Sequence, residues 1–338
     1  MKRLLLLLTA LTLSFTLLFV VGCDDTQPTV CQDGEHDVEL TLALDAEDEL
    51  LRVFRTGVCK KCSTTVKEFA GYGAISAKSA STAINQNAKD GDVVYLAQGT
   101  YSSIINVHTE NAVTITVLKG HSVTARGFNI QTDASIFIDG INFEANYAGS
   151  GIIFAGNNKD VTIKNCNFKG GAYITNATHA PEVKNLVVEN CTFLNYKNID
   201  NDANIACGIY LTSPNGLTVR NCSFQTAEGA RGAIYCGEGG TTKGAILIEG
   251  CTFKNSGTRV IRFYDTEKDC VLAFVGNKVY EHANYITVKD NANSARDNHG
   301  GAVIGVNSWE YIPDASTVKD VDSGFTVQYN EAEQLEIA

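Results

Sequence analysis

Residues 161–168 read Val-Thr-Ile-Lys-Asn-Cys-Asn-Phe, and this pattern returns along the chain. Further copies are Leu-Val-Val-Glu-Asn-Cys-Thr-Phe at 186–193, Leu-Thr-Val-Arg-Asn-Cys-Ser-Phe at 217–224 and Ile-Leu-Ile-Glu-Gly-Cys-Thr-Phe at 246–253. Weaker copies lie on either side, at 136–143 and 272–279. Aligned on Ile141, Cys166, Cys191, Cys222, Cys251 and Asn277, the copies are 25, 25, 31, 29 and 26 residues apart. A unit of this length, repeated in succession, predicts a solenoid.

Each copy alternates apolar and polar residues, which is typical of a half-buried β-strand. The strand closes on Asn-Cys or Gly-Cys, where the chain can turn. Stacked strands of this kind would form a parallel sheet around a shared interior. We expect the cysteines to form a buried ladder of free thiols, and the phenylalanines that follow them to pack in a ladder as well.

A second repeat lies between the copies of the first. Gly208-Ile209-Tyr210-Leu211 is followed at intervals of 25, 27 and 25 residues by segments starting at Ala233, Val260 and Tyr285. Each coil therefore carries at least two strands, with room for a third. This pattern resembles the right-handed parallel β-helix of the pectate-lyase-like superfamily, over roughly residues 75–310. The resemblance implies the fold and leaves the function open, because one fold hosts unrelated activities.

The first coil is predicted to carry a helical cap. Ala80, Ala83, Ile84 and Ala88 recur at helical spacing, and an Asp-Gly turn and an alternating strand follow them as far as Tyr101. An open sheet end needs a cover, and an amphipathic helix can supply it. Residues 77–101 are therefore interpreted as the cap and first coil.

The amino terminus resembles a bacterial lipoprotein signal. Two basic residues precede an apolar run over 4–21, and Gly22-Cys23 follows that run. The resemblance implies cleavage before Cys23 and acylation of that residue, which would anchor the protein in the cell envelope. An ordinary signal peptide or a membrane helix is the alternative. Asp24-Asp25 does not decide to which membrane the protein is sorted, and we favour the outer membrane or cell surface.

The charge balance is acidic. Without Lys2 and Arg3, 25 basic and 38 acidic residues leave a net charge of −13. The remaining sequence contains no basic stripe, so we expect no nucleic-acid partner. We expect a monomer.

Residues 24–70 depart from the coil pattern and predict a hairpin. Cys31 and His36 precede its first strand, and Cys59-Lys60-Lys61-Cys62 closes its return strand. All four ligand-type side chains could meet at one end and hold a structural zinc ion. A disulfide is equally compatible with an exported protein, and four unrelated residues are a third alternative. Ser63 stands where such knuckles usually carry glycine, which weakens the zinc interpretation.

The outer face of the second repeat predicts a binding platform. If Ile209, Ile234 and Ile261 point inward, then the next residue in each strand points outward. These outward residues are Tyr210, Tyr235, Arg262 and Thr287. Stacked tyrosines can contact sugar rings, and arginine can bind a uronate carboxylate.

An acidic row is predicted just beyond the same strands. Glu238, Asp265 and Asp290 align in neighbouring coils, where calcium could relieve their repulsion. This arrangement resembles β-helix polysaccharide lyases, which implies Arg262 and Lys289 as catalytic residues if the protein is a lyase. A solvated acidic edge is the alternative. Complete motifs of the polygalacturonase or pectate lyase type are not found in the sequence.

The sequence thus predicts an all-β, right-handed parallel β-helix with a helical cap and a small Cys/His hairpin module. The expected divisions are a signal peptide at 1–22, the hairpin module and linker at 23–70, the β-helix at 71–310 and a closing tail at 311–338. The expected function is non-catalytic binding of a glycan or another surface partner along the flank. The alternative is a calcium-assisted lyase or hydrolase acting on an acidic glycan.

Overall fold

The computed structural model describes residues 31, 36–176, 182–196, 207–226, 232–237, 240–254, 260–264, 267, 270–280, 286–289, 301–304, 308–309, 327–329 and 335–337. Only the backbone is described for 145–150, 195–196, 226, 262–264, 271 and residues from 286 onward. The chain divides into two compact units. The smaller comprises 1–43 and 54–69, and the larger comprises 44–53 and 70–338.

The predicted hairpin is present. Its strands are β1 (Thr41–Leu44) and β2 (Arg52–Val58), which are neighbours in the sheet. A third strand, β3 (Thr65–Ala74), follows the Cys-x-x-Cys segment and was not predicted. Within the larger unit, Tyr72–Ala74 of β3 pairs in parallel with the first strand of the solenoid.

The predicted cap is a short α-helix, α1 (Ala77–Thr82), continued by a π-helical turn at Ala83–Asn87. Ser76 and Ser79 form a reciprocal capping box at its start. The apolar residues at helical spacing are buried, as expected; they are Ala77, Ala80, Ala83, Ile84 and Ala88.

The solenoid has three faces, and strands stack in parallel on each. The first face consists of β4 (Val93–Leu96), β6 (Val113–Val117), β8 (Ile136–Asp139), β11 (Val161–Lys164), β13 (Val183–Glu189), β16 (Pro214–Arg220), β19 (Lys243–Glu249), β22 (Val271–Val275) and β25 (Gly301–Ile304). A two-residue strand, β10 (Asn158–Lys159), also pairs with β13. The strands predicted from the Cys repeat therefore belong to this face.

The second and third faces begin as single long strands and then separate. The long strands are β5 (Gly99–Val107), β7 (Val123–Ile130), β9 (Asn142–Phe154) and β12 (Asn167–Asn176). After β12, the second face continues as β14 (Thr192–Tyr196), β17 (Ser223–Thr226), β20 (Thr252–Lys254), β23 (Lys278–Tyr280) and β26 (Ser308–Trp309). The third face continues as β15 (Ile209–Leu211), β18 (Ile234–Cys236), β21 (Ile261–Tyr264) and β24 (Ile286–Lys289).

The core is built of ladders of identical residues. Phe143, Phe168, Phe193, Phe224 and Phe253 are buried, and successive ring centroids lie 4.6–5.0 Å apart. That distance matches the spacing of neighbouring strands, about 4.8 Å. The four repeated cysteines form the predicted ladder of buried free thiols.

Left-handed residues at the corners allow each coil to turn. Asn165, Asn190 and Asn221 have φ between 52° and 54°, and Gly250 and Gly276 have φ of 64°. Asparagine and glycine tolerate this conformation best, which explains the Asn-Cys and Gly-Cys pattern.

The last strands reverse the parallel order of the first face. Strand β28 (Leu335–Ile337) pairs antiparallel with β25, and β27 (Val327–Tyr329) pairs antiparallel with β28. The coil pattern itself extends to Trp309, which pairs in parallel with β23.

Candidate metal centre and candidate binding flank

The smaller unit brings its four predicted ligand residues together. The sulfur atoms of Cys31, Cys59 and Cys62 and a ring nitrogen of His36 all lie within 4.8 Å of one another. The Cys31 Sγ lies 3.6 Å from Cys59 Sγ and 3.3 Å from Cys62 Sγ, and Cys62 Sγ lies 3.5 Å from His36 Nδ1. Three thiols and one imidazole therefore converge on one point.

The backbone around the Cys-x-x-Cys segment holds this geometry. The N–H of Cys59 donates to the carbonyl of Thr64, and the N–H of Ser63 donates to the carbonyl of Cys59, both at 2.9 Å. The N–H of Lys60 donates to the carbonyl of Asp37 at 2.9 Å, which ties the segment carrying His36 to the knuckle. Ser63 adopts a left-handed conformation, with φ of 57°. It thus supplies the turn for which glycine was expected.

The electrostatics of the cluster favour thiolates at the knuckle. Hydrogen bonds from the backbone N–H of Cys62 and of Lys61 lower the pKa of Cys59 to about 6. The Thr64 hydroxyl, 3.2 Å from Cys62 Sγ, lowers the pKa of Cys62. Hydrogen bonding to Cys62 raises the pKa of Cys31 to about 12, and contact with Cys59 raises the pKa of His36.

The cysteine ladder inside the solenoid is different in character. The backbone N–H groups of Cys191 and Cys222 each donate to the sulfur of the next cysteine in the ladder, at 3.4 Å. The contact with Cys191 and burial raise the pKa of Cys222 to about 12. Such buried neutral thiols act as packing groups.

The predicted tyrosine platform is corrected in one respect. The register does place Tyr210, Tyr235, Arg262 and Thr287 in one row of the third face. The two tyrosine rings stack with centroids 5.2 Å apart. Tyr235, however, is fully buried in a cluster with Cys207, and only Tyr210 is partly exposed. Alternation places both rings outside the strand core, but further packing covers the second one.

The remaining predicted site residues lie beyond what the structure describes. Glu238, Asp265 and Asp290 are outside the described residues, and so is Cys23. Arg262 and Lys289 are described in backbone only, on β21 and β24. The acidic row, its calcium and the lyase residues therefore stay predictions.

The sequence reasoning missed a polar surface on the second face. A row of hydroxyl and amide side chains runs across it in register, and we call it the hydroxyl–amide row. Its members are Thr124, Asn142, Asn167, Thr192, Ser223 and Thr252. All six are partly exposed, and the Asn167 amide donates to the Asn142 carbonyl oxygen at 2.9 Å. The polar residue after each repeated cysteine was the signal for this row.

A second row lies two residues further along the same strands, and we call it the outer row. It contains Glu144, Lys169, Leu194, Gln225, Lys254 and Tyr280. Tyr280 is 40% exposed and stands beside the exposed Lys254 in the neighbouring coil. Apart from Leu194, which interrupts the outer row, the two rows together form a polar face that crosses several coils.

Comparison with known proteins agrees with this architecture. A family model described as a right-handed β-helix region matches residues 103–304, more than half of the chain. The chain belongs to the right-handed β-helix family. No curated protein matches the sequence significantly.

Two solved structures resemble this β-helix protein at low identity. The surface adhesin PfbA of Streptococcus pneumoniae is 14% identical, with a TM-score of 0.39, covering 78% of this chain and 98% of the adhesin. The ORF18 protein of Geobacillus virus E2 is 12% identical, with a TM-score of 0.36, covering 77% of this chain and 68% of the viral chain. Among the described residues of the β-helix protein, no helix is long and apolar enough to span a membrane.

Proposed function

We propose that this β-helix protein is a non-catalytic binding protein of the cell envelope, and that it binds a polysaccharide along its flank. The observation that carries the proposal is the pair of in-register polar rows on the second face. Their side chains recur at one strand spacing, about 4.8 Å, so the surface offers a regular series of hydrogen-bonding groups. A repeating polymer can use such a series along its length.

The chemistry of the outer row suits an acidic or neutral sugar chain. Lys169 and Lys254 are exposed and can bind carboxylates, and the exposed ring of Tyr280 can contact the C–H face of a sugar. Hydroxyl and amide groups beside them can both donate and accept hydrogen bonds. The partly exposed Tyr210 on the third face is a separate candidate contact.

We also propose attachment to the membrane through Cys23. The apolar run at 4–21 and the Gly-Cys pair after it support cleavage and acylation there. Labelling of growing cells with a fatty-acid analogue should mark the wild-type chain and leave a Cys23→Ser variant unmarked. A labelled variant would place the lipid elsewhere.

Binding is tested by affinity electrophoresis of the full chain, in mild detergent, through gels that contain neutral or acidic polysaccharides, with and without calcium. We expect retardation by at least one polysaccharide. Tyr280→Ala and Lys254→Glu should each weaken binding by about tenfold, which corresponds to about 1.4 kcal/mol. Lys184→Glu is the matched control, because Lys184 is also exposed but lies on the first face.

Three outcomes would contradict parts of this proposal. Failure to bind any polysaccharide would contradict the glycan as the ligand. Loss of binding only in Tyr210→Ala would place the site on the third face. Appearance of ultraviolet-absorbing unsaturated uronate in the presence of calcium would show a lyase. That result would favour the predicted roles of Arg262, Lys289 and the acidic row.

A further inference from the structure

We propose that Cys31, His36, Cys59 and Cys62 form a structural zinc site that holds the smaller unit folded. The first ground is geometric. In a tetrahedral site with Zn–S bonds of about 2.3 Å, neighbouring sulfur atoms lie about 3.8 Å apart, and a sulfur and a nitrogen lie slightly closer. In the structure, Cys31 Sγ lies 3.6 Å from Cys59 Sγ and 3.3 Å from Cys62 Sγ, and Cys62 Sγ lies 3.5 Å from His36 Nδ1. These three separations, and the limit of 4.8 Å on all pairs of ligand atoms, are compatible with the corners of such a tetrahedron.

A disulfide explains the same cluster less well. A disulfide joins two sulfurs at about 2.05 Å, so it would use two of these three thiols and leave the third and the imidazole without a role. The backbone also holds Cys59 in place: its N–H donates to the carbonyl of Thr64 and its carbonyl accepts from the N–H of Ser63, both at 2.9 Å. Contacts of this kind orient a metal ligand.

The ligand set selects the ion. Calcium and magnesium prefer oxygen ligands, whereas three thiolates and one imidazole suit zinc. Four protein ligands complete a tetrahedral shell and leave no position for a substrate, so the site is structural.

The described residues of the smaller unit also lack a hydrophobic core that would otherwise hold them. Among its described residues, the one buried hydrophobic side chain is Cys59 itself. Other contacts, such as the edge-to-face pair of Phe54 and Phe69 and the Lys67 ammonium over the Phe54 ring, lie nearer its surface. Small units without an adequate hydrophobic core commonly depend on a metal or on disulfides. Binding of zinc by Cys59 and its three partners would supply the free energy of folding that a hydrophobic core otherwise supplies.

The first test is the metal content of the purified full chain, measured by native mass spectrometry and elemental analysis. We expect one zinc per chain in the wild type and none in Cys59→Ser or His36→Ala. Cys222→Ala is the matched control, because it removes a buried ladder thiol outside the cluster, and it should keep one zinc. A metal-free wild type whose mass is lower by two hydrogens would show a disulfide and overturn the proposal.

Cobalt substitution and proteolysis test the geometry and the role. Cobalt in place of zinc should give the absorption of a tetrahedral thiolate site, and an octahedral spectrum would contradict the ligand set. Chelation should make residues 36–43 and 54–69 sensitive to protease while the coils from 93 onward stay protected. Unchanged resistance of 36–43 and 54–69 after complete zinc removal would show that the metal does not hold the unit. Polysaccharide binding can be measured separately in the zinc-free protein. Failure of the zinc proposal therefore does not imply failure of the polysaccharide-binding proposal, nor the reverse.

Ser63→Gly gives a variant that should strengthen the site. Ser63 holds a left-handed conformation, with φ of 57°, that is unfavourable for a non-glycine residue, and glycine removes this strain. We expect slower zinc loss to a chelator than in the wild type. Faster loss would show that the serine side chain itself supports the site.

Discussion

At the scale of single residues, the backbone conformation at the corner of each coil decides which residue types the repeat can carry there. The positions before the repeated cysteines hold Asn165, Asn190, Asn221 and Gly250, and Gly276 holds the equivalent position before Asn277; all five are in the left-handed region. The Asn190 amide also donates to the Asn165 side-chain oxygen, at 3.4 Å. Asparagine and glycine interchange here because the backbone, and not the side chain, sets the requirement.

Replacement of Asn221 tests this requirement. Asn221→Val should lower the free energy of unfolding by about 1–2 kcal/mol, because a β-branched residue resists positive φ. Asn221→Gly should change it by less than about 1 kcal/mol, since Gly250 occupies the same corner in the next coil. The urea midpoint of the full chain measures both. Equal losses would show that the side-chain contacts of Asn221 matter more than its conformation.

At the scale of elements, the ladders set the register of the coils. Phe193 lies between Phe168 and Phe224, with ring centroids 4.6 Å away on each side and parallel ring planes. A shift of one residue would move every inward side chain to the outer face. The phenylalanine ladder therefore specifies register as well as supplying buried apolar area.

Truncation of one ring should be costly. Phe193→Ala is expected to lower the free energy of unfolding by about 3–5 kcal/mol, because it leaves a cavity in a fully buried stack. Phe193→Leu should cost less, since it refills most of the volume. Chemical unfolding of both variants checks the order. A small effect of the alanine variant would mean that the neighbouring coils collapse onto the gap.

A ladder of alternating charge crosses the outside of the first face. It runs Asp139, Lys164, Glu189, Arg220 and Glu249, each in register with the next. Ion pairs join Lys164 to Glu189 at 3.3 Å and Arg220 to Glu249 at 3.0 Å. Exposed pairs are worth little each, but opposite charges across strands favour the correct register over a shifted one.

Charge reversal at Glu189 tests this ladder. Glu189→Lys places three cations side by side and should destabilise the chain by about 1 kcal/mol at low salt, with partial recovery at high salt. Glu110→Lys is the control, because it makes the same change of net charge at an exposed turn position. Urea midpoints at two ionic strengths measure the effect. If both variants lose equal stability, net charge and not the ladder is responsible.

At the scale of the whole molecule, a solenoid must close its ends. The cap helix covers β5, the first strand of the second and third faces. It does so with polar side chains as well as with its apolar surface. Asn85 donates to the carbonyl of Asn106 at 2.9 Å and accepts from the N–H of His108 at 2.8 Å, and the Ser81 hydroxyl accepts from the N–H of Asn106. These bonds satisfy a sheet edge that could otherwise pair with another chain.

Loss of this cover should promote association. The double variant Ser81→Ala, Asn85→Ala is expected to lose about 1 kcal/mol per hydrogen bond and to form oligomers through the exposed edge. Size-exclusion chromatography with light scattering, at increasing concentration, measures the assembly state. Lys78→Ala, at an exposed position of the same helix, should leave that state unchanged. A double variant that behaves like this control would show that the apolar surface of the helix is a sufficient cover.

Some features followed directly from local sequence. Strand alternation, the asparagine corners and the cap helix were predictable because each depends on residues close together in the chain. The coil period and the phenylalanine and cysteine ladders were predictable because the same short pattern returns every 25–31 residues. The third strand of the hairpin was missed, and the second face was left as room for a strand, because short strands such as Thr252–Lys254 carry little periodicity. The row of tyrosines was placed in the correct register, but the burial of Tyr235 was not foreseen.

The sequence by itself therefore determined the solenoid, since a repeat that alternates inside and outside can bury its apolar side only by stacking on its own copies. Only the tertiary structure decided which outward positions are exposed and which are covered. It alone brought Cys31 and His36 to the knuckle of Cys59 and Cys62, across more than 20 residues of chain. The physical reason is that the alternation of apolar and polar residues indicates only the side of a strand on which a residue lies. What else packs on that side depends on contacts between distant segments.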